Sequence, residues 1–393
     1  MRTLQAVSRV TLILFAAVFL CAGRVHATDI SGTITGTVFI FDDSQLVGDV
    51  TCAVPLTVPG PNPCISFGAD HIKLRLNGHT ITGSVTPPVG CSLPTDSMFG
   101  VGIEAADRTD VKIEGPGIIQ HFERWGILLG VTGHPSSKVT VRKVTVSRNC
   151  WSGMQTVSTS DSNCEEDIWV NNAAGSNGAA CGGICLANSN RNVMHKSTFY
   201  GNGSLDYANG NVDFGIGFEG SSSENRVEQN DIGGNTSGVV FFNTSSDNLV
   251  RRNIIVGNPP AQVIKTFTAG NQQGADIAFR PNFTGANNII DNNFCLSYIQ
   301  GAGPASAPCP NIKMTGVEEA AQRMASRRSS QNVLNDDRNT AFMSQISSRM
   351  AAPMSLVLLG CGVIGGIARQ RRRSRHAGRS YPATVNAPPT HGR

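Results

Sequence analysis

The chain is 393 residues long, with 43 glycines, 6% aromatic residues and only 15% charged residues, a composition that suits a turn-rich all-β protein. Its formal charge of +4 hides a divided chain. Residues 28–311 carry 16 Lys and Arg against 24 Asp and Glu, and the basic surplus lies at the two ends, so the acidic body argues against nucleic acid as the partner.

Residues 1–27 have the layout of a secretory signal peptide. Arg2 and Arg9 precede an apolar run from Val10 to Ala22, and Val25-His26-Ala27 offers a small-residue cleavage site. Export agrees with the cysteine usage. Of eleven cysteines, nine remain once Cys21 and Cys361 are set aside, a set suited to disulfides in an oxidising compartment. Cys52/Cys64, Cys150/Cys164, Cys181/Cys185 and Cys295/Cys309 are the pairs suggested by proximity in sequence, with Cys91 left over. Spacing alone does not fix that connectivity. No Cys-x-x-Cys pair with partnered histidines marks a zinc site.

Residues 29–84 read as a cap and first coils. The stretch Leu74-Arg75-Leu76-Asn77-Gly78-His79-Thr80-Ile81-Thr82-Gly83 follows Leu46–Cys52 and Ile65. It resembles the opening of bacterial right-handed parallel β-helix proteins of the pectin-lyase-like superfamily, with Arg75 where those usually have Asp. The resemblance implies an exported solenoid, in a superfamily whose enzymes cleave or modify acidic polysaccharides. His79 falls in a corner turn, where a structural hydrogen bond is its expected role.

Further coils follow at Val101–Gly117, Gly126–Val146, Gly153–Asn172 and Gly183–Asn202. Two near-copies then lie back to back. Gly215-Ile216-Gly217-Phe218, Asn225, Asn230 and Asn235 recur 23 residues later as Gly238-Val239-Val240-Phe241, Asn248, Asn253 and Asn258. A fixed period in this range marks a solenoid. Within each copy, apolar residues alternate in short bursts between Ser, Asn, Asp and Gly, which is strand and turn chemistry. The prediction is an all-β, right-handed parallel β-helix of about eight or more coils over residues 28–300. Ile216, Phe218, Val227 and Ile232, then Val239, Phe241, Val250 and Ile254, should face inward. Asn is expected at corners because it tolerates left-handed backbone, and Asn225 stacked on Asn248 would continue an amide ladder.

Periodicity ends near Ala302. Residues 301–350 read as a largely disordered linker and residues 376–393 as a disordered tail. Between them, residues 351–375 join an apolar run, Ala351 to Ala368, to the basic cluster Arg369-Gln370-Arg371-Arg372-Arg373-Ser374-Arg375. Such a run is long enough to span a bilayer with the arginines on the cytoplasmic side. The arrangement is similar to exosortase-type envelope-sorting tails, but Ala352-Pro353-Met354 stands in place of their Pro-Glu-Pro. The expected location is the cell envelope or exterior, with attachment to a membrane through this tail.

Lyases of the superfamily pair a basic residue with calcium-holding carboxylates, and hydrolases need two carboxyl groups flanking the bond. The polygalacturonase pattern of Asn-Thr-Asp, Asp-Asp and Gly-His-Gly is absent, as is the Asp-Pro-His of alginate epimerases. In stacked coils, function collects where loops lengthen beside one ladder. Insertions at Ala173–Gly182 and Gly203–Asp213 precede the Gly that opens a coil, and equivalent stretches hold His121, Glu123, Arg124, Trp125 and Trp151. His121, Arg124 and Asp213 are therefore candidate catalytic residues, with Trp151 and Tyr207 as candidate binding residues. They would line a groove about 14 Å long over four coils, where rings stack on sugars and charges bind hydroxyl or carboxylate groups. Asp161, Glu165, Glu166 and Asp167, beside Cys164, form an acidic cluster that could take Ca2+, a solvated loop being the plainer reading. The function expected is polysaccharide binding along the long face, with cleavage or modification as an added capacity. The alternative is a non-catalytic surface, adhesin or matrix scaffold. No His, Met and Cys set points to a copper site.

Overall fold

The 23-residue period becomes one rung. In the computed structural model, Ile216–Glu219, Arg226–Glu228 and Asp231–Gly233 form one turn of a solenoid, and Val239–Phe241, Leu249–Arg251 and Ile254–Val256 form the next. The structure describes residues 27–300 except 57–59, 86–90, 92–97, 174–181, 204–213, 257, 259–262, 268–269, 274, 281 and 296–297. The expected signal peptide, linker and tails therefore lie outside the described residues, apart from residue 27. Among the described residues no helix is long and apolar enough to cross a membrane, and the apolar run of 351–368 is not among them.

Stacked rungs make three ladders of parallel strands. The first holds ten strands, from Val38–Ile40 through Trp125–Leu129 and Ser152–Val157 to Ile277–Phe279 and Tyr298–Gln300. The second runs from Lys73–Arg75 through Asn163–Glu165, Val193–His195, Arg226–Glu228 and Leu249–Arg251 to Ile289–Asp291. The third runs from Thr80–Thr82 through Ile168–Val170, Thr198–Tyr200 and Asp231–Gly233 to Phe294–Cys295. Early rungs cross from second to third ladder in single bent strands, Ser44–Cys52, Lys112–Gln120 and Thr140–Ser147, which pair with both.

The middle residue of each triplet points inward. Leu74, Ile113, Val141, Cys164, Met194, Val227 and Val250 form one buried column, and Ile81, Ile119, Val146, Trp169, Phe199, Ile232 and Ile255 another. On the first ladder Phe218, Phe241 and Phe279 stack with ring centroids 4.9 and 4.5 Å apart. One expected inward residue is displaced. Ile232 pairs with Ile255 in the inner column, and Ile254 pairs with Asp231 on the other face of the strand, where both are buried all the same. A shift of one residue sends a strand side chain to the opposite face.

Asparagine ladders run up all three corners. Asn225 donates from Nδ2 to Asn248 Oδ1 at 2.9 Å and to the Ser189 carbonyl at 2.8 Å, and its backbone N–H reaches the same Oδ1 at 3.0 Å. The same triple contact repeats through Asn230 and Asn253 and through Asn202 and Asn235. The expected stacking of Asn225 on Asn248 is thus observed. The left-handed residue is not the ladder asparagine but the one before it: Glu224, Gln229 and Gly234 have φ of 57°, 57° and 63°. That residue turns the chain and leaves the next amide aimed along the axis. The recurring Gly keeps room for it, since a Cβ at Gly215 would lie 3.1 Å from Asn235 Nδ2 and 2.9 Å from the Gly238 carbonyl.

Cys52–Cys64 is bonded as expected, whereas Cys150 bonds to Cys91 and not to Cys164. Cys164 is the inward residue of its triplet, level with Val141 and Met194, so its sulfur sits in the core while Cys150 occupies a corner. Burial pushes the Cys164 thiol well above its usual pKa. Cys295 is also disulfide-bonded. Cys181 and Cys309 lie outside the described residues.

Replacing Asn225 by Ala strands a buried carbonyl and two ladder partners. We expect Asn225→Ala to lower unfolding stability by about 2 kcal/mol, against a change within about 0.5 kcal/mol for the exposed Ser221→Ala, both read from denaturant midpoints.

Candidate functional site

The chain lengthens at one corner only in some rungs. Between third and first ladders it runs from Val170 to Gly182, from Tyr200 to Ile216 and from Val256 to Ile277, but from Gln120 to Trp125 and from Ser147 to Ser152 the connection is short. These two short connections stand on adjacent rungs and form a floor, and a third, Gly233 to Val239, stands further along.

In this floor the backbone places each side chain. His121 has φ 64° and Arg148, one rung on, has φ 53°, so both occupy the turning position described above. Phe122 donates its N–H to the ladder amide of Asn149 at 3.0 Å. Arg124 donates its N–H to Gly100, and the Arg124 carbonyl accepts from Trp151 and Ser152 at 2.9 and 3.1 Å. Adjacent rungs are thereby locked at Arg124 and Trp151. The Arg124 guanidinium lies 4.3 Å from the Trp125 ring centroid and 4.1 Å from that of Trp151. The two indoles meet edge to face, 6.3 Å apart at 67°, which leaves the cation clamped between rings, a contact worth about 1 kcal/mol when partly exposed. The Cys91–Cys150 bond holds the residue before Trp151.

Glu123 faces the other way, into a recess of about 30 Å³ that it lines with Leu56, Asn62, Ser84, Gly100 and Phe122. One carboxyl oxygen is buried without a hydrogen-bond partner, and burial holds this carboxyl above the usual range. At His121 burial, and then the charge of Arg148, pushes the imidazole below its usual value. The corner therefore offers a carboxyl biased toward the neutral acid, an imidazole biased toward the neutral base, and a fixed guanidinium.

Of the residues predicted from sequence, the structure brings Arg124 and Trp151 into contact and puts His121 at the turn leading into them. Tyr207 and Asp213 lie outside the described residues. Trp125 and Glu123 belong to the same stretch and were not singled out; the signal for Trp125 was its register opposite Ser152, beside Trp151.

The acidic cluster is not a cluster in space. Asp161 accepts two hydrogen bonds from Arg191, at 2.7 and 2.9 Å, and Arg191 holds its carboxyl below the usual range. Glu165 lies 3.1 Å from His195 and 3.6 Å from Arg142, and Glu166 lies 3.5 Å from Lys143. Asp167 is interior and accepts the Val144 N–H at 2.9 Å. Two corners and a strand of one rung hold these four residues, and each exposed one pairs with cations of the adjacent rungs. Among the described residues no group of three or more His, Cys, Asp or Glu could hold a metal ion.

The family of the chain follows from its sequence as well as its coils. A model described as right handed beta helix region matches residues 96–307, over half of the chain, and the protein belongs to that family. No curated protein matches it. Among solved structures it is similar to the tailspike protein of E. coli bacteriophage HK620 in complex with pentasaccharide, at 14% identity, with 72% of this chain and 56% of that chain covered and a TM-score of 0.46. Pectate lyase Pel9A is 13% identical, over 70% of this chain and 71% of that chain, at 0.41. The Azotobacter vinelandii mannuronan C-5 epimerase AlgE6 A-module is 13% identical, over 71% and 77%, at 0.43. The chain spans 52% of the length of the Dettilon tailspike, another structure it matches. These are likenesses of fold.

Asp167 takes a place that asparagines fill in later rungs, and burial raises its pKa well above the carboxylate range. A raised folded pKa costs nothing below the unfolded value; the penalty grows as pH rises from there to the folded pKa and stays constant above it. Asp167→Asn should therefore match the parent in stability in acid and exceed it increasingly toward neutral pH, read from thermal melts across that range.

Proposed function

We propose that this is an exported protein that binds polysaccharide over the corner formed by Arg124, Trp125 and Trp151. The observation that carries the proposal is the Arg124 guanidinium clamped between two indoles. A pyranose ring presents an apolar C–H face and a rim of hydroxyls. The half-buried Trp151 offers a face for the first, and Arg124 offers directed donors for hydroxyl or carboxylate groups of the second. Holding the cation between rings removes side-chain freedom before a ligand arrives, which lowers the entropy cost of binding. Disulfides at Cys52–Cys64 and Cys91–Cys150 support an oxidising, extracytoplasmic location. Residues 351–375 are proposed to hold the protein at the envelope.

Processing of the bound glycan belongs to the same reading. An imidazole lowered at His121 is a base of the kind that bond cleavage uses. Arg124 would neutralise a substrate carboxylate, and Tyr207 and Asp213 complete the proposed set.

The test is a panel of uronate and neutral polysaccharides applied to the full chain, with tryptophan fluorescence and affinity electrophoresis as readouts. Trp151→Ala should weaken binding about tenfold, the worth of a lost ring contact, and Arg124→Ala comparably. Processing would appear as new reducing ends or unsaturated products, and His121→Ala should abolish it. Binding that ignores both the Trp151 and Arg124 substitutions would move the site elsewhere; no binding to any glycan would favour a scaffold.

A further inference from the structure

The second ladder carries a charge pattern that no single rung reveals. The outward residue ending each triplet forms a column in strict register: Arg75, Glu114, Arg142, Glu165, His195, Glu228, Arg251 and Asp291. Basic and acidic residues alternate at all eight levels. Neighbours are in contact within the chain, with Arg75 to Glu114 and Arg142 to Glu165 at 3.6 Å and Glu165 to His195 and Glu228 to Arg251 at 3.1 Å. Part of each cation stays open, since the side chains of Arg75, Arg142 and Arg251 are 38%, 48% and 33% exposed.

The turn out of this ladder is short. From the fourth level on, two residues join each second-ladder strand to the third-ladder strand that follows it. The long stretches of chain Val170 to Gly182, Tyr200 to Ile216 and Val256 to Ile277 join the third ladder to the first.

An alternating column with an even number of levels is complementary to its own reverse. We propose that the second-ladder face binds a second copy of this chain, antiparallel, about a two-fold axis parallel to the strands. Arg75 then faces Asp291 of the partner copy, Glu114 faces Arg251, Arg142 faces Glu228, and Glu165 faces His195, and symmetry makes every contact twice. A parallel arrangement sets like charge against like at each level, so the pattern selects direction as well as partner. The flanking turn residues repeat the rule at the centre, where Lys138 meets Glu224 and Asp161 meets Arg191. The contact spans seven rung spacings, about 34 Å. This inference does not depend on glycan binding.

The test uses charge reversal on the full chain, followed by sedimentation velocity at low ionic strength. The parent should dimerise, and added salt should weaken the dimer. Arg142→Glu and Glu228→Arg should each weaken it at least tenfold, and the double variant should recover it. Within one chain these residues stand three rungs apart, about 14 Å, and each reversal sets like charges on adjacent rungs, so recovery in the double variant reports only the contact between copies. If a reversal prevents folding, judged by circular dichroism, Arg142→Gln and Glu228→Gln give the same cycle, with losses less than additive expected. A parent that sediments as a monomer throughout, or a double variant no better than the singles, overturns the proposal.

Discussion

Vertical register is the constraint on which everything else in this molecule rests. Three-residue strands have little pairing of their own, and a parallel ladder of them would slip without something that fixes height. The corner asparagines supply it. Each spends its amide on the carbonyl of one rung and the amide of another, as Asn225 does with Ser189 and Asn248. These groups are fully buried, so a slip of one rung leaves several unpaired donors at once. The ladders persist although the spacing between successive asparagines varies from 23 to 30, 33 and 40 residues. Loops absorb the difference, and the corners do not move.

Because the corners are fixed, the two broad surfaces of the solenoid acquire different characters. Where the third ladder returns to the first, the chain lengthens in some rungs and stays short in others, and two short connections on adjacent rungs make a floor. Arg124, Trp125 and Trp151 occupy that floor, with the Cys91–Cys150 bond fastening its edge. A side chain at such a position inherits the rigidity of the rungs below it, which is what a binding surface requires. The second ladder has the reverse character. Its later connections to the third ladder stay short, and the outward position ending each strand carries a basic or acidic group that answers its neighbour from rung to rung.

Those charges explain why the acidic run at residues 161–167 does not behave as a run. In sequence it is four carboxylates in seven residues. In space Asp161 and Glu166 turn corners, Glu165 ends a strand, and Asp167 enters the interior ladder. The basic residues that meet them, Arg142, Lys143, Arg191 and His195, come from the rungs on either side. Exposed pairs of this kind contribute little stability individually. Their regular alternation is the basis of the antiparallel contact proposed above.

The sequence by itself determined the rung. Alternation of apolar and polar residues, the recurrence of Gly and Asn and the period of 23 are all local, and they were enough to place Phe218, Phe241 and Val250 in the core and Asn225 on Asn248. The same local logic failed by one residue at Ile254, because two adjacent isoleucines give no alternation to read. It also paired Cys150 with Cys164 by nearness alone. What only the tertiary structure decided is which residues of different rungs meet. Rung length varies with each inserted loop, so neither the Arg124–Trp151 contact nor the alternating charge column has a constant spacing along the chain. Stacking energy aligns strands and ignores the length of chain between them; vertical neighbours are therefore invisible until the coils are assembled.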